Sequence, residues 1–243
     1  MQDAMVGRWA QESHWSAEVL GSLRDLNHRF LDLAAARTSD WFASSGAGPG
    51  GGDPGGGGPG GSGPGGAGPG GSGPGGAGPG GARSTLRLAG QVVLLSAAQR
   101  AAAAACPYAL FDLRFQDDRH WRLRLQNLGA WQVADETVAD DDTVGFVRLA
   151  LFYAWHVASS AGLKAQLLLG MNGNTAAAFR RITVNTLPEL VATESGNLSA
   201  RWSDCPAFWS ALTGAASRAD PKALRRVQLY GLQLAAAAQL PGP

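Results

Sequence analysis

The 243-residue sequence predicts an all-α protein: a helical bundle of two similar helical units, interrupted by a disordered linker. Apolar residues recur at three- and four-residue steps over most of the chain, which is the period of an amphipathic helix. Ser, Thr or Asp stands ahead of several of these segments, as helix N-caps do. Between residues 46 and 82, glycine and proline replace this pattern.

Composition excludes several classes of protein. The formal net charge of +1 gives no global attraction to nucleic acid or to a membrane surface. Cys106 and Cys205 lie far apart without a CxxC pair, which argues against a disulfide framework or a cysteine zinc site. Residues 1–5 lack the start of a signal peptide, and the most apolar stretch, 144–171, is interrupted by charges. We therefore expect a cytoplasmic protein without a membrane segment.

Four regions follow from this reading: an N-terminal helical segment (1–45), a linker (46–82), a helical unit (83–142) and a second helical domain (143–243). In the linker, proline recurs every five residues, whereas a collagen helix needs glycine at every third position. Chain this rich in glycine cannot offset its ordering entropy, so disorder is expected. A partner-binding repeat is the alternative.

The N-terminal segment predicts one amphipathic helix from Ser16 to Arg37. Its apolar face comprises Val19, Leu20, Leu23, Leu26, Phe30, Leu31, Leu33 and Ala34. Trp9, Trp15 and Trp41 flank this helix, and we expect them to pack against the rest of the fold because an exposed indole is costly.

After the linker, Ser96 and Gln99 form a capping box that opens an alanine-rich helix ending before Pro107. Asp117 or Asp118 then caps a short helix that contains Trp121.

The next helix is predicted to run from about Thr143 to Leu169. Asp140–Asp142 precede it, and we interpret them as caps near the positive end of the helix dipole, with a metal site as the weaker alternative. Because the helix is apolar on most faces, it should be buried. His156, which lies on it, is then expected to be a buried, hydrogen-bonded histidine without a catalytic role.

Beyond the Gly170–Asn174 turn, a helix is predicted through Arg181. A second capping box at Thr186–Glu189 opens another helix that Gly196 ends. Asp204 should cap a helix with Phe208, Trp209 and Leu212. Asp220 and Pro221 start the last helix, which Pro241 stops and whose core stripe is Leu224, Val227, Leu229, Leu232 and Leu234.

An internal repeat is also suggested. In the first copy a capping box is followed by Leu113-Arg114-Phe115, Asp117 and Trp121; in the second it is followed by Ala200-Arg201-Trp202, Asp204 and Trp209. This alignment places Arg114 opposite Arg201. Duplication is the hypothesis, and chance similarity in a chain rich in arginine and alanine is the alternative.

No catalytic motif occurs outside the low-complexity tract, so we predict no enzyme, no catalytic, cofactor-binding or metal site, and no small-molecule substrate. The Gly170–Asn174 turn is similar to a helix-turn-helix, although its small residues fall one position out of register. A plain turn with solvated arginines is the alternative. Candidate contacts to DNA or a partner are Thr175, Arg180, Arg181, Arg201, Arg225 and Arg226.

The C-terminal third, roughly residues 145–237, resembles FlhD, a subunit of the bacterial flagellar transcription regulator. The resemblance lies in Leu169-Gly170-Met171, Thr186–Val191, Leu198–Asp204 and the closing helix around Leu224–Leu234. It implies an all-helical homodimer that acts in transcription, with flagellar genes as a candidate target, beside a second, zinc-binding regulator subunit. DNA is a further candidate partner.

The chain departs from FlhD in its Gly/Pro insertion and in its second copy. The cysteine that FlhD commonly carries before its arginine–aromatic element is replaced by Leu198, Ser199 and Ala200, so an inter-subunit disulfide is not implied. A non-enzymatic regulatory protein is the favoured hypothesis. The alternative is a helical interaction or structural module with no DNA role.

Overall fold

The structure is a computed structural model of the whole chain, and it describes residues 2–36, 91–128 and 139–239, with side chains in the first range from residue 17 onward. The predicted linker 46–82 lies outside the described residues. So do Trp41, Pro241 and the side chains of Trp9 and Trp15, whose predicted roles remain predictions.

The described residues are predominantly helical, and their only sheet has two short strands, which confirms the all-α prediction. The helices are α1 Gln2–Ala36, α2 Ala97–Ala104, α3 Asp118–Gln126, α4 Asp141–Ser160, α5 Gly162–Leu169, α6 Gly173–Phe179, α7 Leu187–Glu194, α8 Pro206–Ser217 and α9 Pro221–Ala237. Two-residue strands, β1 Phe111–Asp112 and β2 Ser199–Ala200, pair antiparallel. Single turns of 3-10 helix at Val184–Thr186 and Ser195–Asn197 flank α7.

One hydrophobic core joins the N-terminal helix to the rest of the fold. Phe30 of α1 packs against Phe146 of α4 and against Phe111 of β1, with ring centroids 5.9 and 6.0 Å apart. Nearer the start of α1, the Tyr153 hydroxyl of α4 donates to the Val19 carbonyl at 3.0 Å. Val19 precedes Phe30 on α1, whereas its partner Tyr153 follows Phe146 on α4, so these two helices run antiparallel. The predicted division at residues 142 and 143 is not tested by this packing.

A buried amide fixes the segment between α2 and β1. Asn27 of α1 is fully buried; its Nδ2 donates to the Tyr108 carbonyl at 2.9 Å, and its Oδ1 accepts from the Leu110 N–H at 2.8 Å. A buried polar group is costly unless it is hydrogen-bonded, and this amide satisfies backbone groups that no helix or strand would satisfy. It thereby sets the approach to β1.

Four predicted N-caps are confirmed. Ser96 and Gln99 form the capping box of α2, and the carboxylates of Asp117, Asp140 and Asp220 accept from backbone N–H groups at the starts of α3, α4 and α9. Each side chain satisfies a donor that the helix itself leaves without a partner.

Two predicted caps are wrong. Thr186 does not cap α7; its hydroxyl donates to the Thr183 carbonyl at 2.7 Å, because the 3-10 turn before α7 already continues into the helix. Asp204 does not cap α8, since Cys205 occupies the N-cap position and makes no side-chain capping bond. Spacing alone could not reveal the 3-10 turn or the one-residue shift.

The predicted single helix from Thr143 to Leu169 is also wrong, because the backbone breaks at Ala161 between α4 and α5. The expectation of burial on every side fails for a set of large residues: Leu149, Phe152, Leu163 and Leu167 are 37–68% exposed. His156 is exposed rather than buried. The core therefore covers one face of α4 and leaves an apolar face outside.

The last two elements of the prediction need smaller corrections. The helix after the glycine turn ends at Phe179, so Arg181 lies beyond it. On α9, Val227 is buried and Leu224 and Leu234 are half-buried, but Leu229 and Leu232 are 61% and 40% exposed. The buried face of α9 runs instead through Val227, Gly231 and Ala235.

The internal repeat has a clear geometric counterpart. Trp121 Nε1 donates to the Leu113 carbonyl at 3.2 Å, and Trp209 Nε1 donates to the Arg201 carbonyl at 2.9 Å, eight residues back in both cases. Arg114 and Trp202, the next residues, both have positive φ, 57° and 55°.

This geometry corrects the predicted alignment by one residue. Arg114 corresponds to Trp202 and not to Arg201, and Asp117 corresponds to Cys205. The strand register agrees. With this offset Phe111 corresponds to Ser199 and Asp112 to Ala200, and the same four residues form the antiparallel pairs Phe111–Ala200 and Asp112–Ser199.

The tryptophan-containing helix of each unit, α3 or α8, packs on the other unit. His120 of α3 contacts Glu194 of α7, while α8 packs against α2. The two units are therefore interlocked through exchanged helices.

Candidate interaction site

The Gly170 turn is built around a buried arginine. Gly170 ends α5 in the left-handed conformation, with φ 72°, where glycine is favoured. A Cβ at this position would also overlap the guanidinium of Arg201. Arg201 is 6% exposed, donates to the Leu168 carbonyl at 3.2 Å and stacks on Trp202.

The far side of the same turn contacts the first unit. The Asn172 N–H donates to the Phe115 carbonyl at 2.9 Å, and the Gln116 amide donates to the Gly170 carbonyl. The turn thus fixes the position of α6 relative to β1 and α3, since its polar backbone groups bond within the protein.

The six predicted contact residues do not form one surface. Thr175 is 1% exposed, and Arg201 is buried under the turn, where burial lowers its pKa to about 10. Side-chain contact with DNA from these two is incompatible with this conformation. Arg180 and Arg181 are exposed just beyond α6, and the remaining pair, Arg225 and Arg226, is exposed on α9.

An ionic cluster that the sequence did not reveal holds α3 against α7. Glu194 has no exposed surface; its Oε2 lies 2.8 Å from His120 Nε2 and accepts from Asn197 Nδ2 at 2.9 Å. Arg124 Nε lies 2.9 Å from the other oxygen, Oε1. His120 and Glu194 are 74 positions apart, and no sequence pattern links them. Predicting this contact requires knowing that α3 packs on the other unit.

A pocket of about 780 Å³ lies between α3 and the segment that begins with α6. Its apolar lining includes Trp121, Leu125 and Ile182, and two arginines, Arg122 and Arg181, also line it. Arg181 was a predicted contact residue, but Arg122 was not singled out from the sequence. Its place beside Trp121 on a short helix carries no pattern that marks a site.

An apolar row with adjacent positive charge lies on the outer face of α9. Leu229 and Leu232 are exposed, one turn apart, and follow Arg225 and Arg226 on the same helix. Large exposed apolar side chains grouped in this way are typical of surfaces that contact other proteins.

Comparisons with known proteins do not extend this description: no protein-family model matches the chain, and neither a curated protein nor a solved structure matches it. Among the described residues, no group of three or more His, Cys, Asp or Glu side chains could hold a metal ion. Within the same residues, no helix is both long and apolar enough to cross a membrane.

Proposed function

We propose that this chain is a non-enzymatic regulatory protein that acts in bacterial transcription through contacts with other proteins, as the resemblance to FlhD implies. The observation that carries the proposal is the outer face of α9. Leu229 is 61% exposed and Leu232 40% exposed, beside Arg225 and Arg226. This row offers apolar area for burial and positive charge for selecting an acidic partner.

The partners in this proposal are those that the resemblance implies: a second copy of the chain, a second regulator subunit, and DNA. In this proposal each of the two interlocked units corresponds to one FlhD-like unit. A homodimer would then pair four such units, and its contact surface would be the α9 row.

The protein contact is tested with Leu229→Ser/Leu232→Ser, with Leu163→Ser as the matched control on α5. Light scattering after size exclusion measures the oligomer, and retention of RNA polymerase from a bacterial lysate measures the partner. We expect the α9 variant to lose these contacts and the control to keep them. Monomers throughout, with no polymerase retained by the unmodified chain, would contradict the proposal.

Direct DNA contact is tested separately with Arg180→Gln/Arg181→Gln and Arg225→Gln/Arg226→Gln. Each lost phosphate contact should reduce the salt dependence of binding by about one in log–log slope. An unchanged slope in both variants would remove DNA from the proposal and leave the protein contacts.

The alternative function is an interaction or structural module without a DNA role. It is favoured by the burial of Thr175 and Arg201, which removes two of the six candidate DNA contacts. The two functions share the α9 surface and differ in the outcome of the salt-dependence measurement.

A further inference from the structure

The pocket between α3 and the segment that begins with α6 has the size of a small-molecule site. Its volume, about 780 Å³ as bounded by the described residues, is within the range of roughly 300–1,000 Å³ typical of ligand pockets. Trp121, which is fully buried, and the half-buried side chains of Leu125 and Ile182 give it an apolar lining. Such a surface suits the body of an organic molecule.

Two cationic side chains reach this pocket from different elements. Arg122 lies on α3, Arg181 follows α6, and neither forms an ion pair with another described residue. Asp118, which also lines the pocket, accepts from Asn174 Nδ2 at 3.3 Å. The charged lining therefore carries one net positive charge.

An unsatisfied polar group lies in the same wall. Thr175 is 1% exposed and lines the pocket, and its hydroxyl has no hydrogen-bond partner among the described residues. Buried hydroxyls are nearly always hydrogen-bonded, so this one marks a place where a further donor or acceptor is missing.

The corresponding place in the other half of the molecule is closed. There, Gln91 Nε2 donates to the Ser210 hydroxyl at 3.5 Å, and the Thr213 hydroxyl donates to Gln91 Oε1 at 3.2 Å. The neutral side chain of Gln91 therefore bridges α8 and the segment before α2, and both of its polar atoms are hydrogen-bonded within the protein.

The repeat makes these two places equivalent. Gln91 stands six residues before α2, as Arg181 stands six residues before α7. Ser210 follows Trp209 by one residue, as Arg122 follows Trp121. Two arginines thus occupy the positions of the neutral bridge, and both line the pocket.

We propose that the pocket binds a small organic anion, a carboxylate or other acidic group on an apolar body. The anionic group lies between Arg122 and Arg181, where it joins the two walls as Gln91 does in the other half. Its apolar body covers Leu125 and Ile182. Charge-assisted hydrogen bonds from guanidinium groups are the strong, geometrically selective contacts for such a group.

Arg181 both lines the pocket and is a candidate DNA contact, so Arg122 and Arg180 are the residues that separate the anion site from the proposed transcriptional role. Arg122 is not a candidate DNA contact, and Arg180, which is one, does not line the pocket. Loss of anion binding in an Arg122 variant and loss of DNA binding in an Arg180 variant are therefore separate outcomes.

The test is calorimetric titration of the full chain with 1-naphthoate, with its neutral analogue 1-naphthalenemethanol, with dodecanoate and with inorganic phosphate. We expect one of the two organic anions to bind at least tenfold more tightly than the neutral alcohol and than phosphate. The tighter of naphthoate and dodecanoate identifies an aromatic or an acyl body.

Arg122→Gln and Arg181→Gln should each raise the Kd of the bound anion about tenfold, because each removes one charge-assisted contact. Arg180→Gln, the adjacent exposed arginine, should leave the Kd unchanged. Circular dichroism and thermal unfolding confirm that the variants remain folded. Absence of saturable binding by either organic anion, or equal Kd values in all three variants, would overturn the proposal.

Discussion

The turn before α3 and the turn before α8 have the same backbone conformation but differ in nearly every side chain. Both have a residue of positive φ, at Arg114 and Trp202. In both, the indole N–H of a tryptophan donates to the carbonyl eight residues before it. Non-glycine residues rarely adopt this conformation, so its recurrence at equivalent positions is informative. The two units thus have the same local geometry with different side chains.

The interfaces that these helices make differ more deeply. Where α3 meets α7, His120 and Arg124 surround the buried Glu194. Where α8 meets α2, the equivalent positions are Phe208, Leu212 and Ala104, all buried and apolar. One interface is therefore ionic and the other hydrophobic.

The exchanged packing of α3 and α8 therefore does not require charged residues at the interface. A buried ion pair stabilises little relative to a well-packed apolar replacement, although removing one partner leaves an uncompensated charge. The ionic version is better suited to fixing one arrangement of α3 than to adding stability.

The two tryptophans offer the largest expected effect. Trp121→Ala and Trp209→Ala should each lower the free energy of unfolding by about 3–5 kcal/mol, because each removes a buried indole and its hydrogen bond. Denaturant unfolding of the full chain measures both. Similar losses at the two positions would support the equivalence of the two units, whereas a loss at one position alone would contradict it.

The helix caps give a smaller effect of opposite sign in the two units. Asp117 caps α3, while Cys205, at the equivalent position, makes no side-chain cap for α8. Asp117→Ala should destabilise by about 1 kcal/mol, and Cys205→Asp should stabilise by a similar amount. Thermal unfolding measures both, and destabilisation by Cys205→Asp would contradict the equivalence.

The same caps carry a pH dependence. The backbone N–H of His120 bonds to the Asp117 carboxylate and, with Arg114 nearby, lowers its pKa below the ordinary 3.8. A depressed folded-state pKa means that the stabilisation is complete above pH 3.8 and is lost as the pH falls through the lower folded value. The destabilisation by Asp117→Ala should accordingly vanish in acid, and Cys205→Asp should acquire the same acid dependence.

Local rules predicted much of the fold. Periodicity located α1 from Ser16 onward but not its start at Gln2. Spacing identified the caps at Ser96, Asp117, Asp140 and Asp220, because a cap involves only neighbouring residues. The break at Ala161 carried no proline or cap and was missed.

The candidate site was less accessible to the same rules. Arg181 was selected because it follows a glycine turn, and the structure places it in a pocket with Arg122, 59 residues away in the sequence. Arg201, another candidate contact, is buried beneath the Gly170 turn. Both outcomes depend on which helices are exchanged, and this depends on the whole core rather than on local pattern.

The most direct test of the exchanged, equivalent units transplants one interface into the other position. Glu194→Ala alone should cost about 3–5 kcal/mol of unfolding free energy, since it leaves His120 and Arg124 without their carboxylate. The triple variant His120→Phe/Arg124→Leu/Glu194→Ala copies the α2–α8 interface and should recover most of that loss in denaturant unfolding. A triple variant as unstable as Glu194→Ala, or less stable, would contradict the account.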